Sequence, residues 1–211
     1  MDIKYFIRTM ENRKINIPIE YEPIIDYEHK YVKSYIDALY RINDYNAVLM
    51  EDDIVLCNNF EKEVEKVVNQ YPDSIINFFN RPELYYTTHY SNIFAYNQCT
   101  YFPKGITKML ADEMMTMYLP EDKYPKQQKY GTLLSLVLHN KGIPHLIYRP
   151  CLVQHIDGKS TFNNVHQERN TIYFKDYLDK LGIDMIEAFK VENREKLKQM
   201  LEEDKIKWYN T

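Results

Sequence analysis

The sequence predicts an α/β fold, a sheet flanked by helices, and three observations lead to it. Between residues 3 and 79, apolar runs typical of strands alternate with segments whose apolar residues recur at helical spacing. Residues 47–50 are apolar throughout, as in a strand buried on both faces of a parallel sheet. Three consecutive carboxylates, Glu51, Asp52 and Asp53, follow this strand at the end where α/β sheets bind their ligands.

Short apolar or alternating runs predict the strands. Residues 15–19 alternate, and Pro18 within them favours an edge strand because it lacks a backbone N–H. Residues 22–28 are predicted to be a loop. The remaining strands are predicted at residues 3–7, 47–50, 74–79, 92–96, 99–102 and 143–148.

Apolar residues three and four positions apart predict the helices. One helix begins at Phe60, with Asn58 or Asn59 as its N-cap, and ends before Pro72. The other helices are predicted at residues 31–42, 103–118, 128–140, 168–181 and 183–209.

Composition narrows the classes of function. The 211 residues suffice for one sizeable core, and no apolar run reaches the ~20 residues of a membrane span. The N-terminus has no signal-peptide pattern, and three widely separated cysteines suit a reducing environment, so a cytoplasmic protein is expected. The net charge of -4 argues against a general nucleic-acid binder.

The carboxylate cluster has two interpretations. Adjacent negative charges repel one another, and a divalent cation with oxygen ligands is the simplest way to stabilise them. The alternative is a strand that ends in a solvated acidic turn. Glycine is scarce, with 5 residues, so there is no glycine-rich loop to hold phosphates. A bound nucleotide would therefore need a metal or basic side chains to neutralise its charge.

Two separated motifs resemble the GT-A class of glycosyltransferases. Residues 48–54, followed by Phe60, are similar to the strand, acidic triplet and helix that carry the DxD motif of that class. Residues 150–160 are similar to the segment with Pro, Leu-Val, His, Gly and Ser that closes its core. Residues 98–105 resemble, less closely, the strand, proline and helix under the donor sugar. The resemblance spans residues 3–161 and implies a Rossmann-like mixed sheet, so residues 1–161 are expected to be the catalytic domain. Residues 162–211 match no part of it, and their charged amphipathic helices predict a C-terminal helical extension.

The resemblance implies Mn²⁺, or Mg²⁺, and a nucleoside-diphosphate sugar as donor. It assigns the metal to Asp53 and His155, and imidazole is an acceptable ligand for manganese. The resemblance implies that Arg8, Thr9 and Arg13 contact the base and ribose of the donor. It implies that Glu51 and Asp52 contact the ribose, bound waters or the sugar. It implies that Lys159 and Ser160 contact the diphosphate. Each also has an ordinary structural interpretation, as surface charge, turn residue or core histidine.

The resemblance leaves the catalytic base open. In inverting members a carboxylate near the start of the helix predicted at 128–140 deprotonates the acceptor, and here Asp122 and Glu121 are the candidates. A retaining enzyme would need no such base. The chain also has Asp157 before Gly158, where the family often has glycine.

The sequence therefore predicts a metal-dependent glycosyltransferase, with a uridine diphosphate sugar as the expected donor. The acceptor hydroxyl is unknown and is expected on a glycan, a glycolipid, a protein or a hydroxymethylated base of phage DNA, since the size resembles compact phage-encoded enzymes. Two alternatives stay open. One is a metal- or nucleotide-binding module without transferase activity, and the other is a phosphoryl- or nucleotidyl-transfer enzyme that uses the same carboxylates.

Overall fold

The computed structural model describes residues 2–80, 87–91, 94, 97–120, 123, 128–156 and 170–209. Within these residues the chain has an α/β fold with a seven-stranded mixed sheet, which confirms the predicted α/β class. The strands are β1 (Ile3–Met10), β2 (Glu22–Asp26), β3 (Asn46–Glu51), β4 (Ile54–Leu56), β5 (Ile75–Asn77), β6 (His89–Ser91), β7 (Cys99–Phe102), β8 (His145–Ile147) and β9 (Val153–His155). Strands β4 and β9 pair with each other, and the other seven form the main sheet.

Helices pack on both faces of the main sheet. They are α1 (Tyr31–Arg41), α2 (Phe60–Gln70), α3 (Thr107–Met117), α4 (Tyr130–Asn140), α5 (Lys175–Leu181), α6 (Met185–Ala188) and α7 (Val191–Tyr209). Helices α1, α3 and α4 enclose one buried core, and α2, α5 and α7 enclose the other. Side chains of β3 alternate between the cores, with Leu49 in the first and Met50 in the second. None of the described helices combines the length and apolar character that a membrane crossing requires.

The directions of the strands show which edge of the sheet is expected to hold a ligand-binding site. The strand order is β2-β1-β3-β7-β5-β8-β6. Strands β1, β2 and β3 are parallel, and β7 runs antiparallel to its neighbours β3 and β5. Strands β1, β3 and β5 therefore end at the same edge, and β7 begins there. The carboxylates at 51–53 lie at this carboxyl edge.

Two predictions near the N-terminus are wrong. Residues 15–19 form no strand, and part of the predicted loop at 22–28 forms β2. Strand β2 pairs in parallel with β1, with Glu22 opposite Phe6, and it is the outermost strand of the sheet. An edge strand tolerates Pro23 because its missing N–H can face solvent. Ile17 is buried without belonging to a strand, which explains why its segment has an alternating pattern.

Helices α5 and α7 share a core with the main sheet. Tyr177 and Leu178 of α5 and Leu197 of α7 belong to the same buried cluster as Val48 and Met50 of β3. The boundary predicted after residue 161 lies outside the described residues. The shared cluster leads us to expect that these helices unfold together with the sheet.

We expect Leu197→Ala to lower the free energy of unfolding by about 2–5 kcal/mol, because it leaves a cavity in a fully buried position. Urea unfolding followed by circular dichroism measures this change. Val191→Ala is the matched control on the same helix, since Val191 is 75% exposed, and it should change the value by less than about 0.5 kcal/mol. A separate transition of the C-terminal helices at low urea would contradict the shared core.

Candidate functional site

The ends of β1 and β3 bring most of the predicted residues together. The two strands are parallel neighbours, and Arg8 lies directly opposite Glu51. Thr9 follows Arg8 on β1, and Asp52 and Asp53 follow Glu51. All five residues therefore meet at the carboxyl edge of the sheet.

Arg8 and Glu51 form a buried ion pair. Nη2 of Arg8 donates to both carboxylate oxygens of Glu51 at 2.9 Å, and the Tyr130 hydroxyl donates to Oε1 at 2.8 Å. The side chains are 5% and 17% exposed. Burial raises the pKa of Glu51, and the Arg8 guanidinium limits that rise. Burial also acts against the charge of Arg8, but Glu51, Tyr130 and Tyr31 together outweigh it and raise the pKa of Arg8. Both groups are thus satisfied inside the protein.

Three tyrosines enclose the Arg8 guanidinium. Its Cζ lies 5.0 Å from the ring centre of Tyr31, 5.7 Å from that of Tyr35 and 4.7 Å from that of Tyr130. Tyr130 also stacks on Tyr35, with ring centres 4.2 Å apart. Such contacts are attractive because the ring faces are electronegative. The sequence candidates did not include these tyrosines, although the four-residue spacing of Tyr31 and Tyr35 places both on one face of α1.

Asp52 is held by two side chains from the β1 segment. The Thr9 hydroxyl donates to Oδ2 of Asp52 at 2.6 Å, and Nη1 of Arg13 donates to Oδ1 at 2.5 Å. Burial raises the pKa of Asp52, and the Thr9 hydrogen bond and the Arg13 charge limit the rise. Arg13 is 38% exposed, so a cation stands at the solvent side of this group.

The small two-stranded sheet of β4 and β9 brings Asp53 and His155 together. Strands β4 and β9 are antiparallel, with Ile54 opposite His155, and the Ile156 N–H donates to the Asp53 carbonyl at 2.8 Å. Nε2 of His155 lies 3.3 Å from Oδ2 of Asp53. The His155 side chain is 8% exposed and that of Asp53 is 34% exposed. The structure thus joins the two residues that the sequence suggested as metal ligands, from distant parts of the chain.

The spacing of this pair fits two ligands of one divalent cation. Ligand distances of about 2.1 Å at a right angle put two ligand atoms about 3 Å apart. The 3.3 Å between Nε2 and Oδ2 is close to that value. Carboxylate oxygen and imidazole nitrogen are both suitable for manganese. In the described part of the chain no group of three potential metal-ligating residues was found. Magnesium that binds with nucleotides keeps several waters and takes further ligands from phosphate oxygens.

Two buried side chains with hydrogen-bond acceptor oxygens lie near Glu51. They are Thr100 on β7 and Gln98 just before β7. The Glu51 N–H donates to the Gln98 carbonyl at 3.0 Å. Among the described residues, no hydrogen-bond partner meets the side-chain oxygen of Gln98 or that of Thr100. Both residues are at most 3% exposed. A buried polar atom without a partner costs free energy, so each of these oxygens has the capacity to accept a further hydrogen bond.

Gly131 lets the first turn of α4 approach this edge closely. A Cβ at position 131 would lie 3.0 Å from Nδ2 of Asn97, closer than a side chain tolerates without movement. The neighbouring Tyr130 reaches Glu51 from this turn. The sequence offered no signal for this contact, because it depends on how α4 is placed against β7.

Four candidates lie outside the described residues. They are Glu121 and Asp122, proposed as catalytic bases, and Lys159 and Ser160, proposed for the diphosphate. Their roles stay predictions.

Comparison with known proteins adds no family to this description. No protein-family model matches the chain, and no curated protein sequence matches it. The fold and the site geometry are therefore the grounds for a functional proposal.

Proposed function

We propose that this chain is a metal-dependent glycosyltransferase of the GT-A class. It transfers a sugar from a nucleoside-diphosphate sugar, with a uridine diphosphate sugar as the first donor to test, to an acceptor hydroxyl. The observation that carries the proposal is the Asp53–His155 pair, at 3.3 Å, beyond the carboxyl edge of the sheet. This is where α/β sheets bind ligands.

The leaving group of this reaction is a nucleoside diphosphate. A divalent cation, when bound by Asp53 and His155, neutralises the charge that develops on it. Arg13 stands at the same edge and is partly exposed, so its guanidinium is available to hydrogen-bond a phosphate oxygen while it holds Asp52. Manganese is the first cation to test, with magnesium as the second.

The rest of the site fixes the carboxylates and offers polar contacts. The Arg8–Glu51 pair and Tyr130 tie β1, β3 and α4 together just before Asp52 and Asp53. A rigid support of this kind keeps ligand atoms in position. The buried acceptor of Gln98 suits a ligand rich in hydroxyl groups, because each hydroxyl can donate a hydrogen bond.

The acceptor is proposed only as a hydroxyl compound, such as a glycan, a glycolipid, a protein or a hydroxymethylated base of phage DNA. The net charge of -4 disfavours DNA, since phosphate contacts supply much of the affinity for DNA.

A thermal-shift panel of nucleoside diphosphates and their sugars, with and without Mn²⁺, tests the proposal. We expect one nucleotide to raise the unfolding temperature only when Mn²⁺ is present. Linkage predicts a stabilisation of about 2.7 kcal/mol at a ligand concentration one hundred times the Kd. If no nucleotide and no nucleotide sugar stabilises the protein with either metal, the proposal fails.

Product analysis then identifies the bond that breaks. Slow turnover of the matching nucleotide sugar should release the sugar and a nucleoside diphosphate, as expected when the anomeric carbon–oxygen bond is cleaved. Release of a nucleoside monophosphate would instead indicate attack at phosphorus and would support phosphoryl or nucleotidyl transfer.

A further inference from the structure

Strand β2 ends at the carboxyl edge of the sheet with a buried carboxylate, that of Asp26. The Cα of Asp26 is opposite that of Met10, the last residue of β1, and the residue is only 6% exposed. Its Oδ1 accepts a hydrogen bond from the Lys30 backbone N–H at 3.2 Å. Its Oδ2 is buried and meets no hydrogen-bond partner in the part of the chain that the structure describes. One oxygen of this carboxylate can therefore accept a further hydrogen bond.

Two cations of this region already have partners of their own. The Nζ of Lys30 donates to Glu28 at 2.6 Å. Arg8 donates to Glu51 and to the Tyr31 carbonyl. A buried carboxylate oxygen without a donor costs free energy, because burial removes the water that would solvate it. A ligand that donates an N–H or O–H to Oδ2 removes this cost, whereas a phosphate, with the same sign of charge, is repelled.

The register of the sheet puts Asp26 level with the candidate metal pair. Arg8 on β1 is opposite Glu51 on β3. Two residues further along, Met10 is level with Asp53, and Asp26 is opposite Met10. Asp26 and Asp53 thus stand in one row at the ends of three parallel strands, and two strand spacings of about 4.8 Å separate them by about 10 Å. A nucleoside diphosphate with its phosphates at Asp53 can bridge this distance with its ribose and base.

We propose that Asp26 accepts a hydrogen bond from an N–H group of the nucleobase of the donor, an inference that rests on the proposed function. The base is the uncharged end of a nucleoside diphosphate, and it stands furthest from the phosphates, as Asp26 stands away from Asp53. The required chemistry is shared by the ring N–H of uracil and guanine and by the exocyclic amines of cytosine and adenine. Asp26 is thus the residue that determines which nucleotide is bound.

Calorimetric titration of the full chain in the presence of Mn²⁺ tests the proposal with paired probes. UDP, GDP, CDP and ADP are each compared with an analogue in which methyl groups replace the N–H hydrogens, at N3, N1, N4 and N6 respectively. We expect the methylated analogue of the preferred nucleotide to bind at least about tenfold more weakly, the scale of a lost hydrogen bond to a charged group. The preferred nucleotide identifies either the ring N–H or the exocyclic amine as the donor.

Two variants locate the hydrogen bond. Asp26→Leu keeps the shape of the side chain but has no acceptor, so it should bind the preferred nucleotide at least about tenfold more weakly. It should also bind that nucleotide and its methylated analogue within about a factor of two, because the two changes remove the same interaction. Glu28→Gln is the matched control. Glu28 has a 70% exposed side chain in the same connection between β2 and α1, and the substitution should change the affinity by less than about twofold.

The outcomes separate the role of Asp26 from the proposed function. Equal binding of each nucleotide and its methylated analogue would overturn the role of Asp26 and leave a metal-dependent nucleotide site in place. Equal effects of Asp26→Leu and Glu28→Gln would do the same. The comparison of methylated probes uses the original protein, so it decides the question even if Asp26→Leu does not fold. If no nucleotide binds, both proposals fail.

Discussion

We expect Asp53→Asn to reduce the manganese-dependent turnover of the nucleotide sugar by at least about a hundredfold, the scale of losing one group that stabilises charge in a transition state. The asparagine keeps the size of the side chain but removes the charge that would hold the cation beside His155. A second readout is metal binding itself. The electron paramagnetic resonance signal of free Mn²⁺, measured with the nucleoside diphosphate already present, should fall further when the original protein is added and should not fall further with the variant.

Two comparisons distinguish this effect from loss of structure. The Asp53 side chain is one-third exposed, so the substitution should change the free energy of unfolding by no more than about 1 kcal/mol. Asp73→Asn is the matched control, because Asp73 is exposed in the turn before β5, at the opposite edge of the sheet. It should leave both manganese binding and turnover unchanged. An Asp53→Asn protein that binds Mn²⁺ and turns over the donor normally would remove Asp53 from the site.

The parts of the fold that were predictable are those whose pattern is local. The apolar run at 47–50 is typical of a buried strand, and it lies within β3. The helix at Phe60 was recognisable from its spacing and from Pro72 after it. Strand β2 was not predicted because its two isoleucines are adjacent and show no alternation, and only its pairing with β1 makes the segment a strand.

The part of the candidate site that was predictable consists of residues at the ends of neighbouring strands. Parallel strands end at one edge, which places Arg8 and Thr9 next to Glu51 and Asp52. The pairing of Asp53 with His155 depends on β4 and β9, which have three residues each, too few to show a periodicity. Their contact was suggested by motif resemblance alone.

The tertiary contacts of the site had no signal in the sequence. Tyr130 reaches Glu51 from the first turn of α4, where Gly131 leaves room for the Asn97 side chain. The hydrogen bonds from Thr9 and Arg13 to Asp52 depend on how the segment after β1 turns back over β3. The nucleotide contact that the resemblance implies for Arg13 stays a prediction, and the structure shows that Arg13 donates a hydrogen bond to Asp52.

The Arg8→Met variant should lose about 3–5 kcal/mol of the free energy of unfolding, the usual cost of removing one partner of a buried ion pair. The Glu51 side chain is only 17% exposed, and in the variant it loses the guanidinium that donates two hydrogen bonds to it at 2.9 Å. It also removes the cation from between three tyrosine rings. Urea unfolding without metal or nucleotide measures the change, because no ligand then contributes to stability.

Arg13→Met is the matched control for this prediction. It also separates an arginine from a carboxylate, at 2.5 Å. The Asp52 side chain is 4% exposed, but Arg13 itself is 38% exposed and Thr9 still donates to Asp52, so the loss should be about 1–3 kcal/mol. Water can replace the guanidinium at Asp52 on that exposed side. A loss as large for Arg13→Met as for Arg8→Met would contradict the difference in burial on which the prediction rests.

The double variant Arg8→Met with Glu51→Gln separates charge from packing. The glutamine has the same shape and can still accept the Tyr130 hydroxyl, but it carries no charge that needs a partner. If an unpaired buried charge causes the loss, the double variant should recover at least half of the stability that Arg8→Met loses, since contacting residues are not additive. If the double variant is as unstable as the single one, the loss comes from the contacts of Arg8 with the tyrosines. Arg8 would then act as a packing residue of the α1–α4 face rather than as the counter-ion of Glu51.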